Sequence, residues 1–292
     1  MLSYFCTVKP YYITPEYIRH FVQSALAEDV GDGDHSTLAA IPKDSESRAR
    51  LLVKQEGLIA GVSLAEEIFR VVDATLSVEI LIPDGTRVEN GAVAFIVGGP
   101  SRSILTSERL VLNCMQRMSA IATKAAHYQK LVEGTKAKIL DTRKTTPNFR
   151  LPEKWAVLIG GGHNHRIGLF DMIMLKDNHI DMAGGIEQAI IRTKDYLRSQ
   201  NKNLRIEIET RNLGEVEEVL RVGGVDIIML DNMSPEMMKE AVNLIGGRFE
   251  TEASGGITET TIRAVAETGV DYISVGALTH GVTSMDLSLK AF

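Results

Sequence analysis

The sequence predicts an α/β protein whose second part is a series of parallel βα units, closed as a barrel or left open, and whose first part is built on an antiparallel sheet. Three observations carry this. Six short apolar runs recur at residues 137–140, 172–175, 205–208, 226–230, 248–252 and 272–275. Amphipathic helical segments at 185–198, 213–222 and 235–245 alternate with them. Earlier, in 47–60 and 76–97, short β-type runs alternate with the turns Pro83-Asp84-Gly85 and Glu89-Asn90-Gly91, a pattern that suits antiparallel strands.

Taken in order, the first helix opens at Thr14, with Pro15 at the first helical position, where the missing N–H costs nothing. Its apolar residues Ile18, Phe21, Val22, Ala25 and Leu26 share one face, and it should end near the glycine-rich residues 31–34. The acidic stretch 29–34 lacks calcium-loop spacing and reads as a turn. After Pro100 the pattern becomes helical, first around 103–118 and then around 121–132. The domain boundary falls in this region, giving a first domain 1–118, rejoined by the tail 280–292, and a second domain 119–279.

Composition narrows the function. The chain is 44% hydrophobic and 24% charged with a formal charge of -6, so it lacks the basic excess that binds nucleic acid or an anionic membrane. Any anion site must be a local concentration of cations. The two cysteines, Cys6 and Cys114, have neither paired nor metal-ligand spacing, which predicts reduced thiols. Lys9, Pro10 and Thr14 interrupt the apolar runs of the N-terminus, and no apolar stretch approaches the roughly 20 residues of a membrane span. A cytoplasmic protein is expected.

In parallel α/β architectures the chemistry sits at the carboxyl ends of the strands. Each run here ends in polar residues or glycine: Asp141-Thr142-Arg143-Lys144, Lys176-Asp177-Asn178-His179, Glu209-Thr210-Arg211-Asn212, Asp231-Asn232, Ser254-Gly255-Gly256 and Gly276-Ala277. Between Asp141 and His179 stand Arg143, Lys144, Arg150, Lys154, Arg166 and Lys176 with His163, His165 and His179, a cationic cluster in an acidic chain. Charge-assisted hydrogen bonds contribute about 1.5–3 kcal/mol each, so a small, multiply anionic ligand is implied. A solvated ion-pair surface is the bland alternative.

Ser254-Gly255-Gly256 and Gly276-Ala277, after the last two runs, look like a phosphate cradle, with Thr258 expected to cap the helix behind the first. Glu209 and Asp231 end neighbouring runs and are the best-placed carboxylates for Mg²⁺, helix capping being the alternative for each. His163-Asn164-His165 has the spacing of a strand-borne zinc pair, but it follows Gly160-Gly161-Gly162, which reads as loop. Residues 160–168 also miss the dinucleotide fingerprint. Arg109, Asn113 and Arg117 form a polar helical stripe opposite Val111, Cys114, Met115 and Met118.

These motifs are recognisable. Asp141-Thr142-Arg143-Lys144-Thr145-Thr146-Pro147, Glu153-Lys154-Trp155-Ala156-Val157, the triple glycine, Asn164-His165-Arg166 and Lys176-Asp177-Asn178-His179 resemble the signature of the quinolinate phosphoribosyltransferases. The resemblance runs nearly end to end, through Glu28-Asp29, Ser107-Glu108-Arg109 and Leu230-Asp231-Asn232 to Val275-Gly276-Ala277-Leu278-Thr279-His280.

It implies an N-terminal α/β sandwich joined to an incomplete α/β barrel, in a homodimer or larger assembly where Arg109 reaches the partner's active site. It implies transfer of phosphoribosyl from phosphoribosyl pyrophosphate to quinolinate with decarboxylation to nicotinate mononucleotide. By resemblance, Arg109, Arg143, His165 and Arg166 hold the quinolinate carboxylates, with Thr142 beside them, and Lys144 and Lys176 serve the substrate anions as catalytic cations. Glu209 and Asp231 bind Mg²⁺ with the ribose and diphosphate, and Ser254, Gly255, Gly256, Gly276 and Ala277 take the 5'-phosphate. Asn148-Phe149 departs from the Gly-Leu common in the family, and Leu158 stands where a basic residue is frequent. The rivals are a nicotinate phosphoribosyltransferase, a zinc barrel hydrolase using His163 and His165, and a non-catalytic binder of a phosphorylated metabolite.

Overall fold

The computed structural model describes residues 9–292, so Cys6 lies outside the described residues. In chain order the elements are α1 (Pro15–Val30), α2 (His35–Ala40), β1 (Glu46–Val53), β2 (Gly57–Leu58), α3 (Val62–Val72), β3 (Ser77–Ile80), β4 (Arg87–Val88), β5 (Val93–Pro100) and α4 (Ser101–Leu131). There follow β6 (Lys138–Leu140), α5 (Arg150–Ile159), β7 (Ile173–Leu175), α6 (Asp177–Ala183), α7 (Ile186–Ser199), β8 (Ile206–Thr210), α8 (Leu213–Val222), β9 (Ile227–Asp231), α9 (Pro235–Ile245), β10 (Glu250–Ser254), α10 (Ile262–Ala266), β11 (Tyr272–Ser274), α11 (Ala277–His280) and β12 (Leu287–Ala291). Two compact units contain them: residues 1–126, 145–161 and 277–292 in one, 127–144 and 162–276 in the other.

The first unit is built on a four-stranded antiparallel sheet in the order β12-β1-β5-β3. The α1 helix starts as the sequence predicts: the Thr14 hydroxyl accepts the Tyr17 N–H at 3.1 Å, Pro15 follows, and Gly31, at φ +56°, ends it. On α3 the side chains of Leu64, Ala65, Ile68 and Phe69 are fully buried, and Phe69 meets Phe95 of β5 edge to face at 5.7 Å. The two helical segments expected after Pro100 are one helix, α4. Ser119, where the break was expected, is buried with its hydroxyl satisfied: it accepts the Ala60 N–H at 2.9 Å and donates to the Ala60 carbonyl at 3.1 Å. A polar side chain with partners inside the core gives the helix no reason to end. Cys114 on the same helix is buried, and burial pushes its thiol up to about 12.

The second unit carries a six-stranded parallel sheet in the order β6-β11-β10-β9-β8-β7. Its end strands β6 and β7 do not pair, so the barrel is incomplete. Beside β6 the backbone of His163 makes a lone parallel bridge to Leu140: its N–H donates to Ile139 at 2.8 Å and its carbonyl accepts from Asp141 at 3.1 Å. The segment read as loop thus pairs with the β6 edge at His163 alone among the bridges of the described residues. All five residues of β8 are buried, which is how a strand covered on both faces reads.

Candidate active site

The rim of the barrel is assembled from the residues that follow each strand. After β6, Asp141 is fully buried, and its carboxylate accepts the His165 N–H at 2.9 Å and the Asn164 amide at 2.6 Å. It thereby pins residues 164–165 beside its own strand. The Thr142 hydroxyl accepts the Lys144 N–H at 3.0 Å, turning the chain so that Lys144 is exposed. The Arg166 guanidinium is buried, with Nη1 donating to the Met172 carbonyl at 3.2 Å. Burial, and then the charge of Arg143, hold its pKa below the usual arginine range, against the opposing pull of Glu207, Asp171 and Glu209. Two guanidinium groups close enough to repel each other under partial burial form a site that an anion stabilises.

Lys176 follows β7 as the N-cap of α6, and its ammonium lies 3.4 Å from Glu209 Oε1 on the neighbouring strand β8. The other Glu209 oxygen accepts the Asp177 N–H at 3.0 Å, the first amide of α6. Asp231 ends β9 half-buried and accepts the Asn232 amide at 2.7 Å. Asn232 itself takes a left-handed backbone, φ +53°, and leans on Gly255: a Cβ at Gly255 would come within 2.2 Å of its Oδ1. Gly255 and Gly256 have φ of +91° and +62°, so Ser254-Gly255-Gly256 turns tightly, with Gly255 packed against Asn232 and Gly256 exposed. Thr258 does not cap the next helix; its carbonyl accepts the Thr261 and Ile262 N–H groups in an intervening turn, and α10 starts at Ile262. The helices after Gly256 and Gly276 are only five and four residues long, so neither turn leads into a long helix N-terminus.

Inside the barrel lies a group that reading the sequence missed. Glu207 and Glu252, on β8 and β10, are fully buried, and His165 Nε2 is 2.9 Å from Glu207 Oε2 and 3.4 Å from Glu252 Oε2. Nδ1 of the same ring accepts the Arg166 N–H at 2.7 Å. Burial opposes charge on this imidazole more than any other single influence, yet the hydrogen bonds and charges of Glu207 and Glu252 together outweigh it and raise its pKa to about 10. Burial, then the charge of Glu252, pushes Glu207 up to about 7. The carboxylates favour the imidazolium, whereas an N–H aimed at Nδ1 favours the neutral Nε2–H tautomer; either way a proton sits on Nε2, facing the carboxylates. The signal was acids in alternate positions of buried-type runs, Glu207 with Glu209 and Glu250 with Glu252. Ligand atoms of His165, Glu207 and Glu252 lie within 4.8 Å of one another, and His163 is not among them, so a zinc pair of His163 and His165 lacks its geometry among the described residues.

Other expected site residues belong to the first unit. Arg109 is exposed on α4, as is Asn113, whereas Arg117 is bonded through Nε to the fully buried Glu153 at 2.9 Å. Glu153 also accepts the Thr146 hydroxyl at 2.8 Å, which ties α5 to the 145–149 loop. Lys154 is buried rather than part of a cationic surface, and Arg150 donates to the Thr145 hydroxyl at 2.9 Å. Gly160 ends α5 where a Cβ would strike the Ala122 carbonyl at 2.3 Å, so the first glycine of the triple serves close packing. Ala277 opens α11.

The family model described as quinolinate phosphoribosyl transferase, N-terminal domain, matches residues 34–119, and that of the C-terminal domain matches residues 121–290. Quinolinate phosphoribosyltransferase [decarboxylating] 1b of Nicotiana tabacum is 48% identical over 298 residues, covering 94% of this chain and 83% of its own length. The probable nicotinate-nucleotide pyrophosphorylase [carboxylating] of Bacillus subtilis is 40% identical, covering 93% of this chain and 91% of its own. The crystal structure of NadC from Streptococcus pyogenes superposes with a TM-score of 0.89 at 41% identity, covering 95% of this chain and 97% of its own. The chain belongs to the quinolinate phosphoribosyltransferase family.

Proposed function

We propose that this protein transfers the phosphoribosyl group of phosphoribosyl pyrophosphate to quinolinate and decarboxylates the product, yielding nicotinate mononucleotide, diphosphate and CO₂ for NAD biosynthesis. The observation that carries the proposal is the apposition of Arg143 and Arg166 at the mouth of the barrel that also presents Lys176 and Glu209. Two guanidinium forks suit two carboxylates of one small ring. Thr142 shapes the turn that carries Arg143 and Lys144, and His165 reaches the substrate indirectly, through the Arg166 segment. Lys144 and Lys176 serve the diphosphate and the departing carboxylate.

Glu209 and Asp231 offer oxygen donors on adjacent strands, the ligand type Mg²⁺ takes. Bound there with phosphoribosyl pyrophosphate, the ion would neutralise charge on the leaving diphosphate. The backbone of Gly255 and Gly256, with Ser254, Gly276 and Ala277, receives the 5'-phosphate.

Charge sets the order of bond changes. As the C1'–O bond to diphosphate breaks, the pyridine nitrogen takes up the anomeric carbon, and cations around the diphosphate lower the barrier. The quaternised nitrogen then holds the electron pair left on the ring when the adjacent carboxylate departs as CO₂. A proton replaces the lost carboxylate.

The protein acts as a homodimer or larger assembly in which Arg109, exposed on α4, completes the partner's site, and it acts in the cytoplasm. Among the described residues no helix is long and apolar enough to cross a membrane. Incubation with quinolinate, phosphoribosyl pyrophosphate and Mg²⁺ should yield nicotinate mononucleotide and CO₂ in equal amounts. Turnover of nicotinate in place of quinolinate, or ligand binding without turnover of any pair, would refute the proposal. Sedimentation and a mixture of Arg109→Ala with Lys176→Ala protein, in which hybrid dimers regain one intact site, test the shared site.

A further inference from the structure

We infer that Glu207 and Glu252 are positioning residues, which hold the His165 ring from inside the barrel and through it fix the backbone that carries Arg166. The inference deepens the function proposed above and rests on it for its kinetic part. Both carboxylates are fully buried on alternating positions of strands separated by β9, so both point into the interior. Among the described residues Glu207 Oε1 and Glu252 Oε1 have no hydrogen-bond partner, and Glu252 Oε2 has only the approach of His165 Nε2 at 3.4 Å. Buried carboxylate oxygens left in this state are costly, and they belong at a site where function requires the group.

The contacts form a continuous relay. Nε2 of His165 faces both acids at 2.9 and 3.4 Å, Nδ1 receives the Arg166 N–H at 2.7 Å, and the His165 N–H is held by Asp141 at 2.9 Å. The ring is therefore anchored at one end in the interior and at the other on the residue whose guanidinium lines the rim. Loss of the interior acceptor frees the ring to rotate and releases the Arg166 amide. Neither Glu207 nor Glu252 needs to touch substrate for its loss to be felt there, because a displaced guanidinium fork loses bidentate geometry.

The experiment uses full-length Glu207→Leu, Glu207→Gln and Glu252→Gln proteins. Glu207→Leu should raise KM for quinolinate tenfold or more while KM for phosphoribosyl pyrophosphate stays within twofold. Glu207→Gln keeps an oxygen that accepts the Nε2 proton and should return KM to within threefold of wild type. In ¹⁵N-histidine NMR spectra the wild-type His165 should carry its proton on Nε2, with that signal shifted in Glu252→Gln. The spectrum does not depend on turnover, so an inactive wild-type protein would sink the proposed reaction and leave this contact testable. The inference is overturned by a wild-type Nδ1–H tautomer, by equal KM changes for both substrates, or by stoichiometric metal in the purified protein that Glu252→Gln abolishes. Should Glu207→Leu fail to fold, Glu252→Ala, which removes the second carboxylate facing Nε2, carries the kinetic test with the same expected rise in KM for quinolinate alone.

Discussion

The Lys176 ammonium stands 3.4 Å from Glu209 Oε1, and the two side chains issue from the same level of neighbouring parallel strands. As a stabilising pair it contributes little, because the lysine side chain is 46% exposed and solvent screens it; about 0–1 kcal/mol is the scale for such pairs. Its value lies in chemistry. Lys176→Ala should shift the melting temperature by no more than a degree or two while lowering kcat/KM roughly 100-fold or more, the scale for removing one preorganised charge from a developing anion. Thermal melts and steady-state assays on the same preparation separate the two. A large melting shift with modest kinetic loss would assign the pair to structure instead.

Gly255 and Gly256 look alike in sequence but differ in what surrounds them. A Cβ at Gly255 would collide with Asn232 Oδ1, and its φ of +91° strains any other residue, whereas Gly256, at φ +62°, has open space around an added methyl. Gly255→Ala should therefore displace Asn232, next to Asp231, and raise KM for phosphoribosyl pyrophosphate at least tenfold, with KM for quinolinate nearly unchanged. Gly256→Ala pays mainly for a left-handed backbone, about 1–2 kcal/mol of stability, with a smaller kinetic effect. Equal KM values in the two variants would remove the glycine turn from the phosphate site.

The barrel strands were legible because a parallel strand buried on both faces can only be a short apolar run between amphipathic helices; the runs read at 137–140 and 226–230 correspond to β6 and β9 within two residues. Rim residues were legible for the same reason, as the polar residues where each run stops. The α5 and α6 helices were not, since Lys154 read only as a member of the cationic cluster and Asp177-Asn178 only as the polar end of a run, and burial of Glu153 and Lys154 depends on tertiary packing. The interior acids escaped because a buried charge contradicts the pattern that identifies a strand. Glu207 and Glu252 become intelligible only when His165, 42 and 87 residues away in sequence, is seen between them.

Asn148 shows how a departure from the family pattern is absorbed. It stands where glycine is common and takes φ +61°, a conformation asparagine adopts more readily than other side chains. The following Phe149 packs its ring 5.6 Å from that of Phe21 on α1. Asn148→Gly should leave stability nearly unchanged, since relief of the left-handed strain is offset by greater freedom of the unfolded chain. Asn148→Val should cost about 1–2 kcal/mol, a few degrees in melting temperature, because a β-branched side chain has no easy route to positive φ. Chemical denaturation of the three proteins side by side decides it.

At the amino ends of the strands Asp271 plays the part for β10 that Asp226 plays for β8. Asp226 accepts the Ile206 N–H at 2.7 Å, and Asp271 accepts both the N–H and the hydroxyl of Thr251, at 2.9 and 2.8 Å, and pairs with Lys136 at 2.7 Å. Burial alone would raise the Asp271 pKa and is the largest single influence, but the bonds from Lys136 and Thr251 outweigh it and hold the carboxyl below its ordinary value. A carboxyl depressed in the folded state contributes its stability above the unfolded pKa of about 3.9, and that contribution disappears as pH falls through the folded pKa. Asp271→Asn should thus be less stable than wild type at pH 7, by on the order of 1–2 kcal/mol once partial exposure of the pair is discounted. The two stability curves should converge as pH falls below about 4, where wild type loses the charge the variant never had. Urea melts across that range test the sign directly, and a difference that grew toward acid would exclude Asp271 as the anchor of the β10 start.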